Sequence, residues 1–390
     1  MATTPLTLQH DGPLPHERDA TARDLFARDY TSSVTRFLFA AQTANAEVTP
    51  LRLRSTAGPN YEPLSINCAF LGTPDPKDVL VHIAAVHGIE GELGATFQIE
   101  ALNAKPHLPA DCATVFIHAL NPFGRAHGTR VNEKRVDLNR NFSGSLLRGI
   151  PLAYQEYDEL FNPASEVALR QSLQRMDTFF RDKGDRKVQR QILNAFGIAQ
   201  YENPEKLSFG GKILSEGLVH LKEYLKQRLP NAQRIVVVDV HTGLGPRGEC
   251  TYLTDSWGKA AASAEKALVA TVKQHGAQGN FNEIKKVVPY YPYLRGTIGQ
   301  GIRELFPDAT VLLLAQEMGT EPPKEVLKAL IAENFATRSQ NEEEISRTRA
   351  VLEEVFTPRD LAWQHMTLPE VSRGYKGAAQ FAFANFKDHA

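Results

Sequence analysis

The chain has 390 residues, 42% of them hydrophobic and 23% charged, and its 44 basic against 45 acidic side chains leave a formal charge of −1. That balance excludes bulk disorder and a fibrous chain, and it supplies no overall pull toward phosphate backbones or anionic lipid. The longest apolar runs, such as Val311 to Ala315, fall far short of the ~18 residues that span a bilayer, so neither nucleic acid nor a membrane is an expected partner.

The N-terminus, MATTPLTLQHDGPLPHERD, lacks the basic start and the apolar stretch of ~7–15 residues of a secretory signal. Three scattered cysteines, Cys68, Cys112 and Cys250, fit reduced thiols better than a disulfide framework, and a cytoplasmic protein is expected.

Along the chain, short β-rich runs alternate with helical patterns, the signature of an α/β fold. The clearest strands are Asp78 to Val86, Ala113 to Ala119, Arg234 to Val240 and Ala309 to Ala315. Their near-continuous apolar character predicts central strands covered on both faces. Leu214, Leu218, Leu221, Leu225 and Leu229 recur at helical spacing and stop at Pro230, which predicts a helix packed on the sheet. A second follows Pro322-Pro323, over Lys324 to Arg338, and a third covers Glu342 to Phe356. The expected whole is one three-layer α/β/α domain over residues 1–390 with a central mixed, largely parallel sheet. A helical insertion at about 143–212 lies over one sheet edge, and a helical appendage occupies about 341–390, with the packing of its aromatic-rich end left open.

Each strong strand runs into polar residues, and in open α/β sheets sites lie beyond the carboxyl ends of strands. After the first strand, HGIE places His87 and Glu90 three apart beside Gly88 and Gly91, a spacing that lets imidazole and carboxylate reach one metal ion from a single turn. The third ends in DVHTG, where Asp239 can accept the second N–H of His241, unless His241 is simply a satisfied core histidine. The fourth delivers Glu317, either a general base that activates water or one half of a salt bridge. After the second comes NPFGRAHGTRVNEKRVDLNRNF, in which Arg130 can polarise a carbonyl and Asn139 with Arg140 can hold a carboxylate; a generic basic loop is the plainer reading. His82 and His118 read as interior strand histidines, and Cys250 as core.

HGIE, NPFG, TRVN, VDLNRNF, DVHTG and QEMGT, in that order between Val81 and Thr320, resemble the zinc metallocarboxypeptidase family and its aspartoacylase and succinylglutamate desuccinylase relatives. The stretch from Phe196 to Gly211, with HTGLGP, is more similar to a bacterial branch of that family. The resemblance implies a carboxypeptidase-like fold and one zinc ion per chain held by His87, Glu90 and His241. It further implies Arg130 polarising the scissile carbonyl, Asn139 and Arg140 gripping a terminal carboxylate, and Glu317 as the base. A tyrosine that closes over substrate falls among Tyr290, Tyr291 and Tyr293.

The activity so implied is hydrolysis of an amide next to a free carboxylate, with a small peptide as substrate. The first rival is an N-acyl-amino-acid deacylase, which a compact site buried by the 143–212 insertion would favour. The second is a binding protein on the same fold that has no use for a general base.

Overall fold

The computed structural model describes residues 26–27, 29–143, 149–181, 185–255, 259–284 and 294–384. Its strands are β1 (Glu47–Ala57), β2 (Pro63–Gly72), β3 (Asp78–Ala84), β4 (Cys112–His118), β5 (Arg234–Gly243), β6 (Cys250–Asp255), β7 (Asn280–Glu283) and β8 (Thr310–Gly319). They form one sheet in the order β1-β2-β4-β3-β5-β8-β6-β7. The four strands expected from sequence are the parallel centre, β4, β3, β5 and β8. Antiparallel β2 and β1 extend one side, and antiparallel β6, with β7 parallel to it, extends the other.

Side chains alternate across this centre with the period of two that a strand imposes. Leu80, Phe116, Val236, Val238, Leu312 and Leu314 face helices Tyr30–Thr43, Gly91–Asn103, Lys259–Gln274 and Leu361–Phe383. Val79, Val81, Ile83, Ile235 and Val237 face helices Glu216–Arg228 and Ile298–Leu305. Every residue of β5 is buried because helices cover it on both sides. The layers are therefore α/β/α, as the sequence pattern requires.

Strand ends differ from the sequence expectation in a way that shapes the site. β3 and β4 stop earlier, each followed by an alanine in the left-handed region, Ala85 at φ 59° and Ala119 at φ 57°. Such residues cost about 1–3 kcal/mol and persist where the surroundings over-determine them. Here Leu120 and Asn121 donate their N–H groups to the carbonyls of Ala84 (3.0 Å) and Ala85 (2.8 Å), so the two exits brace each other. β5 and β8 instead run past their apolar stretches, paired from Arg234 opposite Thr310 to Gly243 opposite Gly319. His241 and Glu317 thus lie inside strands, directly opposite one another.

The segment expected as an insertion forms helices Leu152–Gln155, Asp158–Phe161, Glu166–Phe179 and Arg186–Ile198. Tyr154, Phe161, Leu173, Met176 and Ile192 pack with Leu327, Leu330, Leu352 and Phe356 from helices Pro323–Ser339 and Glu342–Phe356, in a cluster that also takes in Ile89. Helix Leu361–Phe383 places Trp363, Val371, Tyr375, Ala378 and Phe381 in the main core, and Trp363 donates its indole N–H to the Gly319 carbonyl at 2.8 Å.

His82 and His118 are interior as expected, and Gln98 joins them, donating to His82 Nδ1 at 3.1 Å and meeting His118 Nδ1 through Oε1 at 3.0 Å. Burial holds both imidazoles down at about 3, hence neutral. The three cysteines are buried and free. Among the described residues no helix is long and apolar enough to cross a membrane.

Trp363 is fully buried and anchors the end of β8. Trp363→Ala is expected to cost about 3–5 kcal/mol, the range for emptying a large aromatic site, measured by urea denaturation against wild type.

Candidate metal centre

The ends of β3, β4, β5 and β8 open on one side of the sheet, where side chains from separate strands converge. β3 leads to His87 and, through the single turn Gly88–Glu90, to Glu90. That turn lies so close to helix Pro122–His127 that a Cβ on Gly88 would sit 2.1 Å from the Gly124 carbonyl carbon, so only glycine fits. The N–H groups of Gly88 and Ile89 donate to the carbonyls of Arg130 (3.2 Å) and Thr129 (3.1 Å), which fixes Arg130 beside the turn. Thr357 Oγ1 donates to the Ile89 carbonyl at 3.0 Å from the other side.

Within this frame His87 Nδ1 lies 3.0 Å from Glu90 Oε1, and His241 Nδ1 lies 3.1 Å from Glu90 Oε2. One donor atom from each of His87, Glu90 and His241 falls within 4.8 Å of the others, and all three residues are buried. The opposite ring nitrogens are held by carboxylates: His87 Nε2 by Asp137 Oδ1 at 3.0 Å, and His241 Nε2 by Asp239 Oδ2 at 2.8 Å. Carboxylates behind imidazoles fix the ring orientation and raise the basicity of the inward nitrogen.

These residues fit a divalent cation. His87 Nδ1 is buried, and its 3.0 Å approach to Glu90 Oε1 lacks hydrogen-bond geometry, which leaves its lone pair open to an ion. Two imidazole nitrogens and a carboxylate form a donor set suited to zinc, and other first-row ions accept it too.

The charges point the same way. Burial opposes ionisation of Glu90, yet the neighbouring His87 and His241 hold its carboxyl well below the usual range. Burial likewise works against a charged His241, but Asp239, reinforced by Glu317 and Glu90, raises it well above an ordinary imidazole. In the metal-free chain a proton on His241 therefore supplies the positive charge that these carboxylates demand. Glu317, partly buried opposite His241, is pushed up to about 7 by desolvation, with His241 pulling the other way.

Arg130 donates through Nη1 to Asp137 Oδ2 at 2.6 Å, and its Nε lies 3.4 Å from Glu90 Oε1. Asp137, which opens the DLNRNF string beside Asn139 and Arg140, has no role assigned to it from the sequence. It holds His87, pairs with Arg130 and caps the turn Leu138–Arg140 by accepting from the Asn139 N–H at 2.9 Å. Burial opposes its charge, but Arg130 and His87 keep it ionised far below the normal carboxylate range. The same carboxylate thus orients His87, a candidate metal ligand, and carries the two expected carboxylate-binding residues.

Asn139 accepts the Ile298 N–H through Oδ1 at 3.1 Å. Arg140 donates from Nε to the Gly197 carbonyl (2.8 Å) and from Nη1 to the Asn139 carbonyl (2.7 Å), which fixes its guanidinium plane. The insertion reaches the site here, with Phe196 against Arg130 at 5.7 Å from guanidinium carbon to ring centroid and Tyr201 donating to the Arg140 carbonyl at 3.1 Å. Tyr290, Tyr291 and Tyr293 lie outside the described residues.

Asp137→Asn is expected to weaken metal binding about 10–100-fold, read by chelator competition. A raised carboxyl binds its proton more tightly in the folded than in the unfolded chain, so between the ordinary carboxylate value and about 7 stability falls as pH rises. Metal-free Glu317→Gln should therefore gain stability over metal-free wild type, by about 1–3 kcal/mol at pH 8 and by little at pH 4, in paired denaturation curves.

No curated protein is similar enough in sequence to count as a match. Among solved structures, the chain is similar to the metallo-carboxypeptidase from Burkholderia cenocepacia, at 13% identity and a TM-score of 0.44, over 85% of this chain and 68% of that one. It is similar to carboxypeptidase A from Helicoverpa armigera at 12% identity and a TM-score of 0.44, over 83% and 73% of the two chains. For bovine thrombin-activatable fibrinolysis inhibitor the values are 10% and 0.44, over 85% and 96%. A family model matches residues 26–370, most of the sequence, and the chain belongs to that family, described as Protein of unknown function (DUF2817).

Proposed function

We propose that the chain is a zinc-dependent hydrolase that cleaves an amide bond next to a free carboxylate, releasing the C-terminal amino acid of a small peptide. One observation carries this reading: His87, Glu90 and His241 turn their donor atoms to one point, each imidazole is backed by a carboxylate, and Glu317 stands across from His241. A divalent cation there supplies Lewis acidity and lowers the pKa of water toward ~7. The protein's own groups do the rest. Glu317, with a carboxyl near 7, accepts a proton from the attacking water at neutral pH and returns it to the leaving amine. Arg130, held at the edge of the ligand cage, supports negative charge developing on the carbonyl oxygen. Asn139 and Arg140, on the turn that Asp137 caps, receive the substrate carboxylate.

The deacylase reading keeps the same centre and base, and one feature favours it. Phe196 and Gly197 bring the insertion onto Arg130 and Arg140, as a site covered by that segment requires. A binding protein without turnover gives Glu317 no task. A cytoplasmic location goes with the hydrolase reading and rests on the sequence alone.

Purified protein is expected to carry about one zinc per chain by mass spectrometry and to cleave either C-terminally free peptides or N-acyl amino acids, with loss on chelation. Glu317→Gln should keep its metal and lose about 10²–10⁴-fold in turnover, the usual worth of a positioned base. Undiminished turnover in that variant would remove Glu317 from the mechanism.

A further inference from the structure

The stretch from Gly197 to Gly211 takes no part in the chemical steps above, yet it wraps the turn that carries Asn139 and Arg140. The Gly197 carbonyl accepts Arg140 Nε at 2.8 Å, and the Tyr201 hydroxyl donates to the Arg140 carbonyl at 3.1 Å. The Phe209 carbonyl accepts the Asp137 N–H at 2.8 Å, and the Gly210 carbonyl accepts Asn141 Nδ2 at 2.9 Å. Asp137, Arg140 and Asn141 are thus all tied to this collar.

The collar is rigid for local reasons. Ala199, buried at the end of helix Arg186–Ile198, holds φ 67° and ψ 173°, a region populated essentially by glycine alone. Such a conformation persists only where its surroundings over-determine it. Here Gln200 exchanges backbone hydrogen bonds with Ser208 (3.0 Å) and Gly210 (2.8 Å). Its buried side chain accepts the N–H groups of Glu202 (3.0 Å) and Asn203 (2.9 Å). Tyr201 follows directly, 1% exposed, with its ring so close to Gly210 that a Cβ there would sit 2.3 Å from Cε1. Burial pushes its hydroxyl up to about 12, so it stays a neutral donor. From another side Gly296 closes on the same carbonyl, since a Cβ on it would lie 2.4 Å from the Arg140 oxygen.

This grip decides which donors remain. Arg140 spends Nε on Gly197 and one Nη1 N–H on the Asn139 carbonyl, and Asn139 Oδ1 takes the Ile298 N–H. Arg140 Nη2 and Asn139 Nδ2 are left without a partner among the described residues. Asp137 acts on Arg140 electrostatically but is engaged by Arg130 and His87.

We propose that Tyr201 is a positioning residue for the substrate carboxylate: it holds the Arg140 main chain while Gly197 holds Nε, so that Nη2 and Asn139 Nδ2 face the carboxylate together. The proposal rests on the function given above. An Arg140 released from this grip keeps its charge and loses its direction, so Tyr201 sets how well a carboxylate is told from a neutral amide.

The test is an NMR titration of the purified protein with hippurate and with its neutral amide, hippuramide. Wild type is expected to bind hippurate about tenfold or more tightly than hippuramide, the worth of a charge-assisted contact. That ratio should vanish in Arg140→Gln and narrow by about three- to tenfold in Tyr201→Phe, the worth of one hydrogen bond, with hippuramide affinity unchanged. A general loosening of the fold weakens both ligands alike, so a changed ratio separates positioning from mere structure. Circular dichroism and zinc content check each variant; if Tyr201→Phe does not fold, Gly210→Ala, which displaces the Tyr201 ring, takes its place. A full ratio in Tyr201→Phe, or equal weakening of both ligands, overturns the role of Tyr201 and leaves the carboxylate reading standing where Arg140→Gln loses the ratio. No ratio in wild type, or one that Arg140→Gln keeps, overturns both.

Discussion

Four carboxylates, those of Glu90, Asp137, Asp239 and Glu317, converge at the ends of the central strands, and the rest of the centre answers to their charge. Removing one ionised carboxylate from water without a partner is costly, and collecting four is tolerable only around cations. Arg130 supplies one positive charge, and protonated His241 supplies another in the metal-free chain. A divalent ion at the Nδ1 atoms of His87 and His241 would replace that proton and take up the His87 lone pair that Glu90 does not engage in good hydrogen-bond geometry. The group that gains least from its surroundings is Glu317, whose desolvated carboxyl is therefore the one poised to exchange a proton near neutrality.

The fold makes this concentration of charge possible by making its edges rigid. Ten paired positions between β5 and β8 set His241 across from Glu317 without loop freedom. The left-handed alanines after β3 and β4 redirect the chain at the same level, and Gly88 lets the turn that carries Glu90 lie against the helix that precedes Arg130. Helices from the C-terminal part of the chain hold this frame from outside, through Thr357 on Ile89 and Trp363 on Gly319.

The parallel centre and the three donor residues were legible in the sequence because both leave strong marks. Strands buried on two faces read as unbroken apolar runs, and polar residues following such runs stand out. The antiparallel margins were not legible: β1 alternates between exposed and half-buried residues at a sheet edge, and β7 has only four residues. Leu361–Phe383 escaped for a different reason. It contains Pro369, which reads as a helix break, and it buries Gln364 and Glu370 beside Trp363 and Val371, so no clean apolar stripe marks it. Asp137 stood in a motif whose neighbours drew the attention, and its part in holding His87, Arg130 and Asn139 together is a three-dimensional fact.

The central claim is that the carboxylate-backed histidines exist to hold a metal ion. X-ray absorption at the zinc edge of the zinc-loaded protein tests it most directly. The account predicts two imidazole nitrogens at ~2.0–2.1 Å and a carboxylate oxygen at ~2.0–2.2 Å, with the imidazole signal reduced in His241→Ala. A spectrum dominated by sulfur, or one that His241→Ala leaves unchanged, would contradict it.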